Sequence, residues 1–156
     1  MVDPVLTAEA WIGVPARFAR TWFLELQDHP ERYAFDSHEG FTFTEGAFGE
    51  VGARFQTRER FAGVLKLTLR FRLVEVVDAR FVFEVLGPTR GVWGYFELAP
   101  ADCSTTLLRL AVGSDQVGKR RLLAFPPVRN AIRRQIQGEV DHIATSMVSL
   151  HRSREA

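Results

Sequence analysis

The sequence predicts an α+β fold in which a curved antiparallel sheet of about seven strands wraps around one long C-terminal helix. Three observations predict it. Beyond Gly40 the hydrophobic period drops from about 3.6 residues to about 2. Consecutive strand-like runs then follow one another through short turns, which makes an antiparallel meander. Past Pro126 the chain returns to helical spacing. A meander with one apolar face needs a cover, and only this last helix is long enough to supply it.

The elements follow in order. LTAEAWI (Leu6–Ile12) is a short strand ended by Gly13. Pro15 suits the first turn of a helix, where its missing N–H costs nothing. That helix presents Phe18, Trp22, Phe23 and Leu26 at three- and four-residue spacing, and Asp28-His29-Pro30 breaks it. A helical turn at Pro30–Tyr33 comes next. FTFTE (Phe41–Glu45) sets Phe41 and Phe43 against polar neighbours.

GARFQTRERF (Gly52–Phe61) puts Phe55, Thr57, Glu59 and Phe61 on one face and its arginines on the other. After an Ala62-Gly63 turn signal, VLKLTLRFRLVEVV faces Leu65, Leu67, Leu69, Phe71 and Leu73 one way. It is the cleanest half-buried strand in the chain. RFVFEVL, GVWGYFEL (Gly91–Leu98) and TTLLRLAV (Thr105–Val112) complete the meander. Strand alternation lets only one set of residues around Gly94 face inward. Phe96 and Leu98 are expected inside, with Trp93 and Tyr95 on the outer face at a contact surface. Gly113–Phe125 is a connector with room for a helical turn at KRRLLAF. The terminal helix spans roughly Val128–Leu150. Leu67, Leu69, Phe71, Phe83, Leu108, Leu110, Ile132, Ile136 and Ile143 are the expected core.

The 156 residues are 46% hydrophobic, enough for one domain with a real core. The formal net charge of +1 creates no strong field toward nucleic acid. Residues 115–156 hold eight Lys/Arg against four Asp/Glu. Lys119, Arg120, Arg121, Arg129, Arg133 and Arg134 lack the aromatic interleaving of single-strand binders, so nucleic acid is not an expected partner. The single cysteine, Cys103, excludes an internal disulfide and has no activating neighbour in sequence. No Cys/His spacing suits a metal, and no cofactor is expected. No signal peptide or membrane-length apolar run is visible, so a cytoplasmic location is expected. Oligomeric state is not readable.

The element order resembles the helix-grip fold of the START-like superfamily, particularly its polyketide cyclase/dehydrase-type members. The resemblance covers essentially the whole chain. It rests on IGVPARFARTWFLEL, HPERYAF, GEVGARFQTRERF and FRLVEVVDARFVFEV followed by GVWGYFELAP. These are packing and turn residues, not a catalytic signature. The resemblance implies an elongated cavity between the sheet and the C-terminal helix, holding lipids, polyketides, aromatic compounds or quinones. Binding of such an apolar or amphipathic molecule is the leading expectation. The alternatives are a cyclase- or dehydratase-type enzyme in the same cavity, or an interaction protein for a chaperone, a ribosome or a quinone-pathway partner.

Candidate cavity residues follow from the inward faces: Phe41, Phe43, Phe55, Thr57, Glu59, Leu69, Phe71, Phe83, Phe96, Ile136, Ile143 and Glu139. Glu139 is the most informative. Ile132, Ile136, Val140, Ile143 and Met147 form an apolar stripe, and Glu139 falls roughly 20° from the direction of Ile132. Two readings stand. Glu139 reaches solvent or a sheet arginine at the open end, or it is a cavity carboxylate that orients a ligand hydroxyl or acts as an acid or base, meeting a ligand group, a water or an inward hydroxyl such as Thr57. Glu59 is the natural second carboxylate, or a strand-end Glu paired with a cation. His38 is expected in a solvated loop before the first meander strand, and His142 at the edge of the stripe. Asp141, His142 and Ser146 are too close along one helix to form a triad. No catalytic residue is assigned.

Overall fold

The computed structural model describes residues 2–35, 38–61 and 63–156. Seven strands form one antiparallel sheet: β1 (Leu6–Ile12), β2 (His38–Glu45), β3 (Arg54–Phe61), β4 (Leu65–Val77), β5 (Arg80–Gly87), β6 (Trp93–Pro100) and β7 (Thr106–Gly113). The helices are α1 (Ala16–Leu24), α2 (Val117–Ala124) and α3 (Pro126–Glu155), with a 3₁₀ turn at Pro30–Tyr33. Ala62 of the expected turn, and Asp36 and Ser37 of the loop before β2, lie outside the described residues.

The strand order is β1-β7-β6-β5-β4-β3-β2, so the meander runs in sequence order and β1 adds to its far edge. The ladder breaks register between His38 and Gly40, Phe43 and Glu45, Arg70 and Phe71, and Leu73 and Glu75. Such irregularities bend a strand and increase its twist. They curl the sheet into a half-barrel. α3 lies in its concavity, against β1 and β7, and touches the 3₁₀ turn, β3, α1 and α2.

The closed half of the core follows from simple alternation. β1 buries Leu6, Ala8 and Ile12 and exposes Thr7, Glu9 and Trp11. α1 buries Ala19, Trp22 and Phe23. The Phe23 ring lies 4.9 Å from Phe96 and 5.5 Å from both Phe48 and Phe81. Trp22 Nε1 donates to Ser146 Oγ at 3.3 Å, tying α1 to α3. Gly94 is required by packing: a Cβ there would come within 2.6 Å of the Phe83 ring and 2.8 Å of the Ala111 carbonyl oxygen. Its absence makes room for the Phe83 ring against the backbone.

Several expectations need correction. Gly113–Phe125 contains a full helix, α2, and α3 runs on to Glu155. Leu65 is exposed, and Leu67 and Leu69 are half-buried rather than core. That end of β4 faces empty space instead of side chains. Ile132 is likewise only half-buried. Trp93 and Tyr95 do sit apart from the main core, but they are not a contact surface. They are buried with Val82 and Ala111, and the Arg80 guanidinium lies 4.5 Å over the Tyr95 ring. Trp93 Nε1 donates to Asp115 at 3.1 Å.

Candidate functional site

Between the sheet and the N-terminal half of α3 lies a cavity of about 350 Å³. Phe61, Leu67, Leu69, Phe71, Phe83, Val85, Leu110, Ile132 and Ile136 wall it, together with Pro88, Thr89 and Leu123. Two carboxylates, Glu59 from β3 and Glu139 from α3, share this otherwise largely apolar wall. Both are buried, at 6% and 8% exposure. Charged groups are almost never buried without partners.

Their partners come from three other positions. The Tyr33 hydroxyl, at the end of the 3₁₀ turn, donates to Glu139 Oε1. Thr57 Oγ1 donates to Glu59 Oε1 at 2.8 Å. His38 Nε2 lies 3.1 Å from the same Glu59 oxygen, within ion-pair range but without the alignment of a full hydrogen bond. The Tyr33 ring packs 4.7 Å from the His38 ring and 5.0 Å from Phe41. A second gap of about 20 Å³ lies among Tyr33, His38, Thr57, Glu59, Glu139 and a set of phenylalanine rings. That is room for about one water. Glu59, Phe71, Phe83 and Glu139 line both spaces, so the small polar gap adjoins the large apolar one.

The electrostatics follow from this burial. Desolvation is the main cause that raises the Glu139 carboxyl from 4.5 to about 7. The Glu59 carboxylate adds to it, while His38 and the Tyr33 hydroxyl pull the other way. Burial opposes charging of His38, but Glu59, Glu139 and the Tyr33 backbone outweigh it, so its pKa is raised. Burial and then the Glu139 charge push the Tyr33 phenol well above its ordinary value.

The candidates separate into three groups. Glu139, Glu59 and Thr57 come together at the polar end, and Phe41, Phe55, Phe71, Phe83 and Phe96 surround them. Leu69 and Ile136 line the large cavity. Phe43 and Ile143 pack in the core: Phe43 meets Phe41 at 5.3 Å and Phe55 at 5.8 Å, and Ile143 is fully buried. Glu139 neither reaches solvent nor pairs with an arginine. The hydroxyl it meets is Tyr33's, because Thr57 is spent on Glu59.

His38 corrects its expectation most sharply. It is the first residue of β2 and is fully buried. The irregularity between His38 and Gly40 breaks the period, so alternation along FTFTE could not place it. Tyr33 was also missed. It closes a single helical turn, too short to show any periodicity. His142 bonds the Arg32 carbonyl oxygen at 2.9 Å and stacks 4.5 Å from Phe35. Asp141 instead accepts from Gln137, and Ser146 from Trp22, so these three make no triad. Cys103 is exposed. Among the described residues no group of His, Cys, Asp and Glu could hold a metal ion. No described helix is long and apolar enough to cross a membrane.

No protein-family model matches the chain, and no curated protein sequence does either. Solved structures are similar in fold. A point mutant of norcoclaurine synthase from Thalictrum flavum, in complex with a transition-state analogue, superposes with a TM-score of 0.69. It shares 11% identity, over 100% of both chains. A Thermus thermophilus protein has a TM-score of 0.64 at 15% identity, over 93% of this chain and 97% of its own. The di-domain ARO/CYC BexL of the BE-7585A biosynthetic pathway has a TM-score of 0.61 at 14% identity. The match covers 93% of this chain and 51% of BexL.

Proposed function

We propose, for a chain with the helix-grip fold of the START-like superfamily, that residues 1–156 act as one binding domain for an amphipathic small molecule. Its apolar body lies in the cavity and its polar end meets Glu59 and Glu139. The observation that carries this reading is the cavity itself. About 350 Å³ of space falls within the usual range of small-molecule sites, roughly 300–1,000 Å³. Its wall is almost wholly apolar and its polar groups converge at one end. Lipids, polyketide-like aromatics and quinones all have that division. The interaction-protein alternative would be favoured by a concavity packed solid with phenylalanine, and here the rings fill only the inner end.

Fluorescence of N-phenylnaphthylamine tests the reading. The native protein should enhance it saturably, and fatty acids, flat phenols or quinones should displace it. Leu69→Trp should fill the cavity and abolish the enhancement while the protein stays folded. A bound ligand should also raise the melting temperature with its concentration. If neither the probe nor a broad apolar library produces any change, the reading is wrong and the interaction-protein alternative survives.

A further inference from the structure

The polar end of the cavity holds more than a ligand anchor needs. A single neutral hydroxyl would orient an amphipathic molecule. Instead a carboxylate from the sheet and a carboxylate from α3 share one wall, backed by a phenol, an imidazole and a threonine. The two carboxylates are not equivalent. Glu59 accepts a hydrogen bond from Thr57 and has His38 Nε2 3.1 Å from the same oxygen. Glu139 receives a hydrogen bond from Tyr33 alone among the described partners, and a second carboxylate stands near it. Groups placed so differently within one cavity are suited to different roles in proton transfer.

We infer that this end of the cavity is a proton-transfer site, in which Glu139 takes a proton from a carbon acid on a flat, largely apolar ligand. The inference rests on the binding reading above. In the step, a C–H bond beside a ligand carbonyl breaks and its proton passes to a Glu139 carboxylate oxygen. The electron pair left behind delocalises onto the carbonyl oxygen as an enolate. Glu139 then returns the same proton to another position of the ligand. The net change is an isomerisation, and it needs no oxidant, reductant or co-reactant.

The surroundings fit that role. A general base works best when its pKa lies near the working pH, and desolvation with the nearby Glu59 places Glu139 at about 7. The groups acting on it from neighbouring elements are His38 on β2, Glu59 on β3 and Tyr33 in the 3₁₀ turn. β4 and β5 present only the Phe71 and Phe83 rings at this end. His38 offsets the second carboxylate and stops Glu139 from being locked in its protonated form. Tyr33 and His38 are positioning residues, and Glu139 is the catalytic one.

The test uses 5-nitrobenzisoxazole, a flat carbon acid. Removal of its ring C–H proton by a base breaks the N–O bond and releases a coloured cyanophenolate. The wild-type protein should turn it over saturably. Its kcat/KM should rise with pH and level off above the ionisation of Glu139 near 7. Glu139→Gln should lower kcat/KM by about 100-fold or more, the usual range for a positioned base. Far-UV circular dichroism of that variant should match wild type, so that the loss is not one of fold. Tyr33→Phe removes a donor to the charged carboxylate and should move the midpoint of the pH–rate profile upward. A merely structural Tyr33 would leave the midpoint in place.

A wild-type rate no higher than that of free acetate, or an undiminished rate in Glu139→Gln, overturns the inference. If the fluorescent probe still binds, the binding reading stands. If the probe fails to bind as well, both fall. Should Glu139→Gln not fold, the Tyr33→Phe profile decides, and an unmoved midpoint overturns the inference.

Discussion

The two halves of the half-barrel are built from similar residues and do different things. In one half, α1, β1, β6, β7 and the C-terminal part of α3 enclose Trp22, Phe23, Leu98, Leu108, Ile143 and Met147 with no more than 2% exposure. In the other, the β3–β4 hairpin, α2 and the N-terminal part of α3 leave Leu67, Leu69 and Ile132 half-buried around a cavity. Composition does not separate them, since both are rich in Leu, Ile and Phe. What differs is whether an opposing side chain arrives. α1 lays Trp22 and Phe23 into the first half. Among the described residues nothing comparable enters the second, where the buried Glu59 and Glu139 gather instead. Apolar surface by itself therefore marks neither stability nor function in this fold.

The largest expected effect breaks the closed half. Phe23→Ala removes a ring packed against those of Trp22, Phe48, Phe81 and Phe96, and should cost about 3–5 kcal/mol in urea denaturation. It should take any cavity binding with it through loss of fold. A loss under about 1 kcal/mol would mean that the rings around it close the gap.

The next effect belongs to the polar end and is read as pH dependence. The folded protein raises Glu139 from 4.5 to about 7. Between those values the folded state binds more protons than the unfolded one, so stability falls as pH rises through the window. His38, also raised, acts in the same direction. Its contribution is complete below its ordinary 6.5 and is lost as pH rises through its folded value. The Glu139 part is on the order of 2–3 kcal/mol between pH 4.5 and pH 8. Glu139→Gln should flatten most of this slope. Glu25 differs: Arg32 holds its carboxyl low, so its contribution is lost only as pH falls through the acid range. A stability curve rising from pH 5 to 8 would show Glu139 in contact with bulk water.

The smallest effect tests the open half. Leu69→Ala should cost about 1 kcal/mol or less, well under the roughly 2–5 kcal/mol of a close-packed leucine such as Leu108. It widens a space that already exists and opens no new void. The same substitution should change probe affinity by several-fold. If Leu69→Ala costs as much as Leu108→Ala, the cavity is collapsed in solution and the two halves are alike.

The sequence by itself determined the element order, the antiparallel meander, the covering helix and the inward faces of most strands. Each is a local pattern whose period reports its own geometry, as in the alternation that set Thr57 and Glu59 beside Phe55. It also singled out Glu139, because a carboxylate on an apolar stripe contradicts the stripe. Tertiary structure alone decided where β4 leaves the close-packed core, since Leu69 and Leu73 look the same along the chain but Leu73 is fully buried and Leu69 only half-buried. It alone brought Tyr33 and His38 to the carboxylates. Tyr33 ends a turn too short to have a period, and a break in the β2 ladder shifts His38 out of the alternation beside it. Glu139 and Tyr33 are 106 residues apart. Their meeting depends on how far the sheet curls around α3, a property of all the strands together that no local window contains.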